Sequence, residues 1–331
     1  MPVQQDDEPP HARLSAVESA KLTARITWMS VSVGLSLMLL KAIVWWFSGS
    51  ISLLASAADS GLDFIAALGT FWAVRVAVLP ADAEHRYGHG KAEAFASLLQ
   101  AALVFASAAL IGREAVNHML HPRPVQAEGG AILVMFASIA LTLVLVRAQA
   151  SVIERTRSVA ITGDRAHYLA DLVSNAAAVV GLALARLTHD PRWDAFAGLL
   201  VAAWLIKGAV EVLRQASNEL LDREVDEADR RELLRLALDD DEVLGVHQFR
   251  SRASGPFLHV QMHMELEPSQ SLLSAHVIVE RAEKRIQKIF PDTDLVIHAD
   301  PFGLSEEHDQ DFDGLPVGRD VNPASRRSKP R

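Results

Sequence analysis

The sequence predicts an α-helical membrane domain of six transmembrane helices, followed by a cytoplasmic α+β domain with the element order αββαβ. Three observations predict this fold class. Apolar residues make up 50% of the 331 residues, and they concentrate in the first two thirds of the chain. Six apolar runs in that part approach or exceed the roughly 20 residues that cross a bilayer. Beyond about residue 226 the pattern changes to amphipathic helices and alternating strands.

The membrane spans are predicted from the six apolar runs, which are 26–47, 52–78, 93–119, 131–153, 160–186 and 195–213. Lysine and arginine concentrate in the loops after the second and fourth spans, at Arg86, Lys91, Arg155 and Arg157. Positively charged loops stay in the cytoplasm, so we expect both termini there. The polar N-terminus lacks the layout of a cleaved signal peptide. The first apolar run is therefore expected to remain as a membrane anchor.

The last third of the chain predicts a small α+β domain of the ferredoxin-like kind. In order, we predict a helix in DEADRRELLRLALDD, strands in VLGVHQFRSR and FLHVQMHMEL, a helix in SLLSAHVIVERAEKRIQKIF and a strand in DLVIHADP. In the second strand Leu258, Val260, Met262 and Met264 alternate with polar residues, which is the period of a half-buried strand. Short connections favour a sheet with both helices on one face.

The complete domain prediction has four parts. They are a polar N-terminal tail at 1–20, the transmembrane domain at 21–215, the cytoplasmic domain at 216–303 and a disordered tail at 304–331. The last part is polar and rich in glycine, proline and charge, which is the composition of disordered segments.

Composition excludes several classes of partner and site. The chain has no cysteine, which excludes disulfides and thiolate metal sites, so nitrogen and oxygen must hold any metal. The net charge of −9 argues against nucleic acid as a partner, because phosphate binding needs a basic surface.

Two pairs of ionisable residues lie inside predicted spans at the same spacing. Asp59 and Asp63 lie in the second span, and His167 and Asp171 in the fifth. Each such charge costs about 2.5–3.5 kcal/mol on insertion scales, and residues four apart share a helix face. Together the pairs can hold a divalent cation tetrahedrally. Because such ligands bind metal only when deprotonated, we expect His167 and one aspartate to carry exchanged protons.

An intramembrane enzyme is the main rival to a transporter. Two aspartates in a membrane also suggest an aspartyl protease, but the Gly-x-Gly-Asp sequence of those proteases is absent from the chain. A di-iron bundle would use Glu-x-x-His pairs, and the predicted spans contain none. We therefore predict that the chain is not an enzyme.

Several segments together resemble the cation diffusion facilitator family, and more closely its bacterial zinc, cadmium and ferrous-iron efflux members. The resemblance covers residues 20–303, and it is carried by DSGLD, PADAEHRYGHGKAE, HYLADLVSN, VHQFRSR, MHMELE, SAHVIVE and VIHADP. It implies that the two intramembrane pairs form the transport site. It also implies that a histidine at position 167 favours zinc, with ferrous iron or cadmium fitting the same ligands.

The resemblance implies a second metal site in the loop after the second span. Its ligands would be Asp82, His85 and His89. Their spacing suits a metal by itself, and Gly88 and Gly90 allow the loop to wrap closely around an ion.

A third site and a dimer contact are also implied by the resemblance. The cytoplasmic ligands would be His247, His263, His298 and Asp300, with His276 as an auxiliary ligand. The strand pattern supports part of this set, because His263 lies on a polar face and His298 and Asp300 share a face. In the family a charge interlock helps to hold a homodimer, and Lys91 and Asp222 match its members.

The predicted function is a dimeric antiporter that exports a divalent metal cation (zinc, cadmium or iron) from the cytoplasm in exchange for protons. Metal bound to the cytoplasmic domain would activate it, so the metal would be both substrate and regulatory ligand. Two alternatives stay open: a manganese exporter, and a non-transporting metal sensor or scaffold on the same fold.

Overall fold

The computed structural model describes residues 13–49, 51–121, 129–188, 190, 192–303 and 317–318. These residues form two compact units. One unit is Val17–Leu221, and the other combines the described residues of Met1–Ala16 and Asp222–Arg331.

The described part of the first unit forms six long helices. They are α1 (Ala16–Ser48), α2 (Ile51–Ala77), α3 (Ala92–Leu120), α4 (Gly129–Thr156), α5 (Val159–Thr188) and α6 (Arg192–Leu220). All six are long and apolar enough to cross a membrane, which confirms the predicted six-helix domain. Helix α1 begins inside the segment 1–20 that was expected to be a tail, and α6 continues past residue 215.

Small residues let α5, which carries two of the predicted transport ligands, approach α3 closely. A side chain at Gly163 of α5 would place its Cβ 2.9 Å from the Cα atom of Ser97 on α3. Helix α5 is also held at its start, because the buried carboxylate of Glu93 on α3 accepts hydrogen bonds from the Ser158 hydroxyl and the Ala160 N–H. Close backbone contact of this kind is typical of membrane helices, and here it fixes α5 against α3.

The described part of the second unit contains two helices and a mixed sheet. Its elements are α7 (Glu227–Ala237), β1 (Gly245–Ser254), β2 (Phe257–Leu266), α8 (Leu272–Ile289), β3 (Thr293–Pro301) and β4 (Val317–Gly318). The strand order is β3-β2-β1-β4. Strands β1 and β2 are antiparallel, and β2 and β3 are parallel. The predicted αββαβ order is confirmed. Strand β4 falls within the segment expected to be disordered, and the rest of 304–331 lies outside the described residues.

Alternation along β2 separates an apolar face from a polar face. Leu258, Val260, Met262 and Met264 are buried, and they pack with residues of α7 and α8 in one core. Burial of each such side chain contributes about 1.5–3 kcal/mol. Since both helices cover this face, the opposite face of the sheet is left for polar side chains.

A bulge in β1 follows the histidine of that strand and turns the next aromatic side chain to the core. The β1–β2 register shifts between His247 and Arg250, and Gln248 has φ +48. An extra residue in one strand reverses the alternation that follows it. His247 precedes the bulge and points to the polar face because it follows the buried Val246, whereas Phe249 lies within the bulge and packs against the core.

The short segment before α1 belongs to the cytoplasmic unit. The Arg13 N–H donates to the Ile289 carbonyl at 3.0 Å, and the Arg13 Nε donates to the fully buried Asp229 at 3.1 Å. The Ala16 N–H donates to Asp292 at 2.7 Å. Residues 13–16 are thus ordered by contacts with α7, with the end of α8 and with the turn before β3.

Candidate metal centres

Helices α2 and α5 bring three of the four predicted transport ligands together. The Nε2 atom of His167 lies 2.8 Å from Asp63 Oδ1 and 3.9 Å from Asp171 Oδ2. One ligand atom from each residue lies within 4.8 Å of the others, and the imidazole is buried. One nitrogen and two carboxylates at this separation can surround a cation, which would be tetrahedral with one more ligand.

The fourth predicted ligand, Asp59, is not part of this group. It lies one turn closer to the start of α2, and its side chain is exposed. The neighbouring Ser60 accepts a hydrogen bond of 2.6 Å from Lys41 Nζ of α1, and the lysine charge acts on Asp59. Our sequence analysis did not include Lys41 in the site. A lysine inside an apolar span is itself a signal of a functional position.

The loop between α2 and α3 gathers its three predicted ligands. His85 Nδ1 and His89 Nε2 lie 3.5 and 3.3 Å from the carboxylate of Asp82. The Asp82 side chain also accepts the N–H groups of His85 and Glu84. The hydrogen bond from the His85 N–H is the largest cause that holds the pKa of Asp82 below its usual value. Gly88 has φ +77, a conformation that glycine adopts without strain.

Three histidines form a row across the polar face of the cytoplasmic sheet. His247, His263 and His298 lie side by side on β1, β2 and β3. Asp300 is buried beside them and lies 3.4 Å from His247 Nε2, 2.8 Å from His263 Nδ1 and 3.0 Å from His298 Nε2. Because one carboxylate reaches all three rings, Asp300 is the centre of this cluster.

Glu265 is a member of this cluster that the sequence analysis missed. Its Oε1 lies 3.6 Å from His247 Nδ1, and it pairs with Asp300 across β2 and β3. A Cβ atom at Gly245 would lie 2.5 Å from Glu265 Oε2, so glycine leaves room for this carboxylate. The signal was present in the sequence, since residues two apart on a strand share a face and Glu265 follows His263 by two.

The predicted auxiliary ligand His276 lies apart from the cluster. It is an exposed residue of α8, the helix that covers the apolar face of the sheet. The histidine row is on the opposite face, so within one copy of the chain α8 does not present His276 to Asp300.

The two predicted interlock residues each have a partner within their own unit. Lys91 Nζ donates to the Leu220 carbonyl at 3.3 Å. Asp222 accepts from Arg252 at 3.2 Å. The proposed contact between two copies of the chain stays a prediction.

Comparison with known proteins places both units in known families. Residues 27–221 match the family model described as the cation efflux transmembrane domain, and residues 225–302 match the one described as the cation efflux protein, cytoplasmic domain. The chain is 34% identical over 292 residues to the cation-efflux pump FieF of Klebsiella pneumoniae, covering 88% of this chain and 97% of that protein. The pump of the same name from Cronobacter sakazakii is 36% identical over 281 residues, with coverage of 85% and 93%. The one from Shewanella oneidensis is 37% identical over 273 residues, with coverage of 82% and 92%.

Proposed function

The chain belongs to the cation diffusion facilitator family, and from that membership we propose that it is a homodimeric metal–proton antiporter of the bacterial inner membrane. Metal cation efflux, a multi-pass membrane domain and a cytoplasmic dimerisation domain come with the family. The proposal adds that zinc, ferrous iron or cadmium is the cargo. It also adds that protons move in the opposite direction and that both termini are cytoplasmic.

The observation that carries this proposal is the meeting of Asp63, His167 and Asp171 between α2 and α5. Placing an ionisable group inside a membrane segment costs free energy. Three such groups in contact are therefore expected where a cation offsets their charge. Nitrogen and carboxylate ligands suit zinc and ferrous iron. In the proposed site Asp59 is the fourth ligand. Asp59 now lies one turn of α2 away from the other three ligands, so α2 must shift for Asp59 to reach the cation.

Proton exchange is supported by the contact between His167 and Asp63. Their separation of 2.8 Å is that of a hydrogen bond, so a proton lies between these two atoms. A metal that binds both atoms must displace that proton. The same competition run in reverse releases the metal where protons are abundant.

Regulation by the cytoplasmic unit is supported by the cluster around Asp300. Cations held by the histidine row would offset the negative charge of Asp300 and Glu265. We propose that this lowers the repulsion between two copies of an acidic domain and draws them together. Because one equilibrium then links the cytoplasmic and membrane sites, cytoplasmic metal would activate export. The loop cluster of Asp82 is proposed as a further binding site.

Transport by the purified protein in proteoliposomes tests the proposal. Vesicles containing wild type, Asp171→Ala or the exposed control Glu211→Gln would be loaded with zinc, cadmium, ferrous iron or manganese, with and without a pH difference. We expect zinc transport that rises with the pH difference, its loss in Asp171→Ala and its retention in Glu211→Gln. Transport that ignores the pH difference would contradict antiport.

The same assay separates the two alternatives. A manganese exporter would move manganese in preference to zinc. A metal sensor would bind zinc and move none of the four metals, and Asp171→Ala would then leave the assay unchanged.

A further inference from the structure

Helix α5 carries another buried acid, Asp164, that the proposed transport mechanism does not use. It lies one turn before His167, and it is 1% exposed. Its carboxylate accepts hydrogen bonds from Ser30 Oγ of α1 at 2.6 Å, Gln149 Nε2 of α4 at 2.8 Å and Gln100 Nε2 of α3 at 3.3 Å. Four helices therefore meet at a single carboxyl group.

The hydrogen-bond donors around Asp164 are all neutral. In the described part of the chain no lysine or arginine forms an ion pair with it, and the adjacent Arg165 donates to the Val146 carbonyl of α4. A buried charge without a charged partner costs free energy, and a bound proton removes that charge. Titratable groups on the surrounding helices include His167, Tyr168 and Asp171 on α5, Asp63 on α2 and Glu93 on α3, and the Tyr168 hydroxyl donates to the Ser30 carbonyl.

Among the described residues none of these groups forms a hydrogen bond or ion pair with Asp164, although the charge of His167 acts on it from one turn away. His167 contacts Asp63 and Asp171, and Glu93 contacts the start of α5. Helices α1 and α4 present Ser30 and Gln149 to the carboxyl group, and neither side chain titrates. The charge of Asp164 thus depends on its own proton and on the charge of His167 one turn away.

Two buried acceptors beside Asp164 lack a partner. The Oε1 atoms of Gln100 and Gln149 have no hydrogen bond, although both side chains are at least 99% buried. An amide offers N–H on one side and C=O on the other. Here the amide of each glutamine directs its N–H group to the carboxylate. If the amide group rotates by about 180°, it directs its C=O group to a protonated acid instead. The two glutamines can therefore form hydrogen bonds with Asp164 in either protonation state. Their unpartnered Oε1 atoms can accept one more hydrogen bond from a donor.

We propose that Asp164 is a proton-binding site distinct from the metal ligands, with Gln100 and Gln149 as its positioning residues. The inference rests on the proposed antiport and names a carrier for one exchanged proton. Protonation forms one O–H bond on Asp164, removes one negative charge from the bundle and turns an acceptor into a donor. Because contacts with α1, α3 and α4 change together, proton binding is coupled to the packing of α5, the helix that carries His167 and Asp171.

Proton counting in proteoliposomes tests this site. Wild type, Asp164→Asn, Asp164→Glu and the matched control Glu93→Gln would be compared for zinc binding in detergent, for zinc transport and for proton movement reported by a pH dye. We expect Asp164→Asn to bind zinc with unchanged affinity, to move one proton fewer per zinc ion and to lose part of its response to pH. Asp164→Glu and Glu93→Gln should keep the wild-type ratio.

The outcomes distinguish this inference from the proposed function. A wild type that moves zinc without protons overturns antiport and the Asp164 site together. A wild type that couples protons, with an unchanged ratio and pH profile in Asp164→Asn, overturns the Asp164 site alone.

A second measurement does not depend on transport or on the stability of Asp164→Asn. Infrared difference spectra between acidic and alkaline buffer should show a buried protonated carboxyl band that shifts in Asp164→Glu. A spectrum in which no such band responds to Asp164→Glu overturns the proton site.

Discussion

The membrane cluster and the cytoplasmic cluster use the same types of ligand on different scaffolds. In the membrane, Asp63 comes from α2 and His167 and Asp171 come from α5, so the ligands meet only through the packing of two helices. In the cytoplasmic unit, His247, His263 and His298 lie on neighbouring strands joined by backbone hydrogen bonds. Helices slide past each other more easily than paired strands do. The comparison suggests a cluster that opens to release its cation and a cluster that retains it.

The strongest test of this difference between the clusters is to remove one central ligand from each. We expect His167→Ala to abolish zinc transport and leave zinc binding by the cytoplasmic cluster intact. Asp300→Ala, which removes the carboxylate that reaches three histidines, should abolish cytoplasmic binding and leave transport that no longer rises with cytoplasmic zinc. Transport assays and zinc titration of both variants check this. Loss of transport in both variants would mean that the clusters are not separate in function.

Two matched glycine substitutions compare how rigidly the helices and the strands are packed. At Gly163 a new Cβ would lie 2.9 Å from the backbone of Ser97, whereas at Gly245 it would meet the end of the Glu265 side chain at 2.5 Å. Backbone cannot move aside cheaply, but a side-chain end can. We expect Gly163→Ala to separate α3 from α5, with a cost of about 1–3 kcal/mol, and to slow transport.

Gly245→Ala should change stability little and alter only zinc affinity at the cytoplasmic cluster. Thermal unfolding in detergent, together with zinc titration, measures both variants. Equal destabilisation by the two substitutions would count against a rigid contact between α3 and α5.

The contact of Arg13 with the cytoplasmic unit predicts a smaller effect. Its guanidinium donates to Asp229, whose side chain is 0% exposed, so Arg13→Ala should destabilise this unit by about 1–3 kcal/mol. Hydrogen exchange of the β2 amides in the full-length protein reports the change. The control is Arg231→Ala, which removes an exposed ion pair with Glu227 and should change the stability little, because water screens such pairs. Similar exchange rates in both variants would show that Arg13 contributes no more than a surface pair.

The smallest expected effect is a pH dependence of the cytoplasmic unit. Burial raises the pKa of Asp240, but hydrogen bonds from Arg281 and Arg285 of α8 outweigh it, and the pKa lies below its usual value. A lowered pKa means that the stabilisation is present above the unfolded value, near pH 4, and is lost as the pH falls further. Asp240→Asn should cost about 1 kcal/mol at neutral pH and little at pH 3. Hydrogen exchange of β2 at both pH values tests this, and an equal cost at both would contradict it.

Much of the fold follows from local patterns, while the exact ligand sets depend on packing. The apolar runs predict the six spans, and the alternation of Leu258 to Met264 predicts the buried face of β2. Spacing shows that Asp59 and Asp63 share a helix face, but it does not show how far along α2 that face meets α5. The family resemblance implies His276 as an auxiliary ligand, yet α8 covers the opposite face of the sheet.

Contacts between distant segments were outside the reach of local patterns. The bond between Arg13 and Asp229 joins residues 216 positions apart, and nothing near either residue indicates it. Asp164 is different, because an acid in the fifth span is visible in the sequence. Its neutral partners Ser30, Gln100 and Gln149 lie on three other helices, so their meeting became apparent only from the fold.

The most direct test of the central claim is to locate the bound cation. Anomalous diffraction from crystals of the full-length protein grown with zinc should place an ion about 2.0–2.2 Å from Asp63, His167 Nε2 and Asp171, and the peak should vanish in Asp171→Ala. Zinc at the loop and cytoplasmic clusters with none between α2 and α5 would contradict the account.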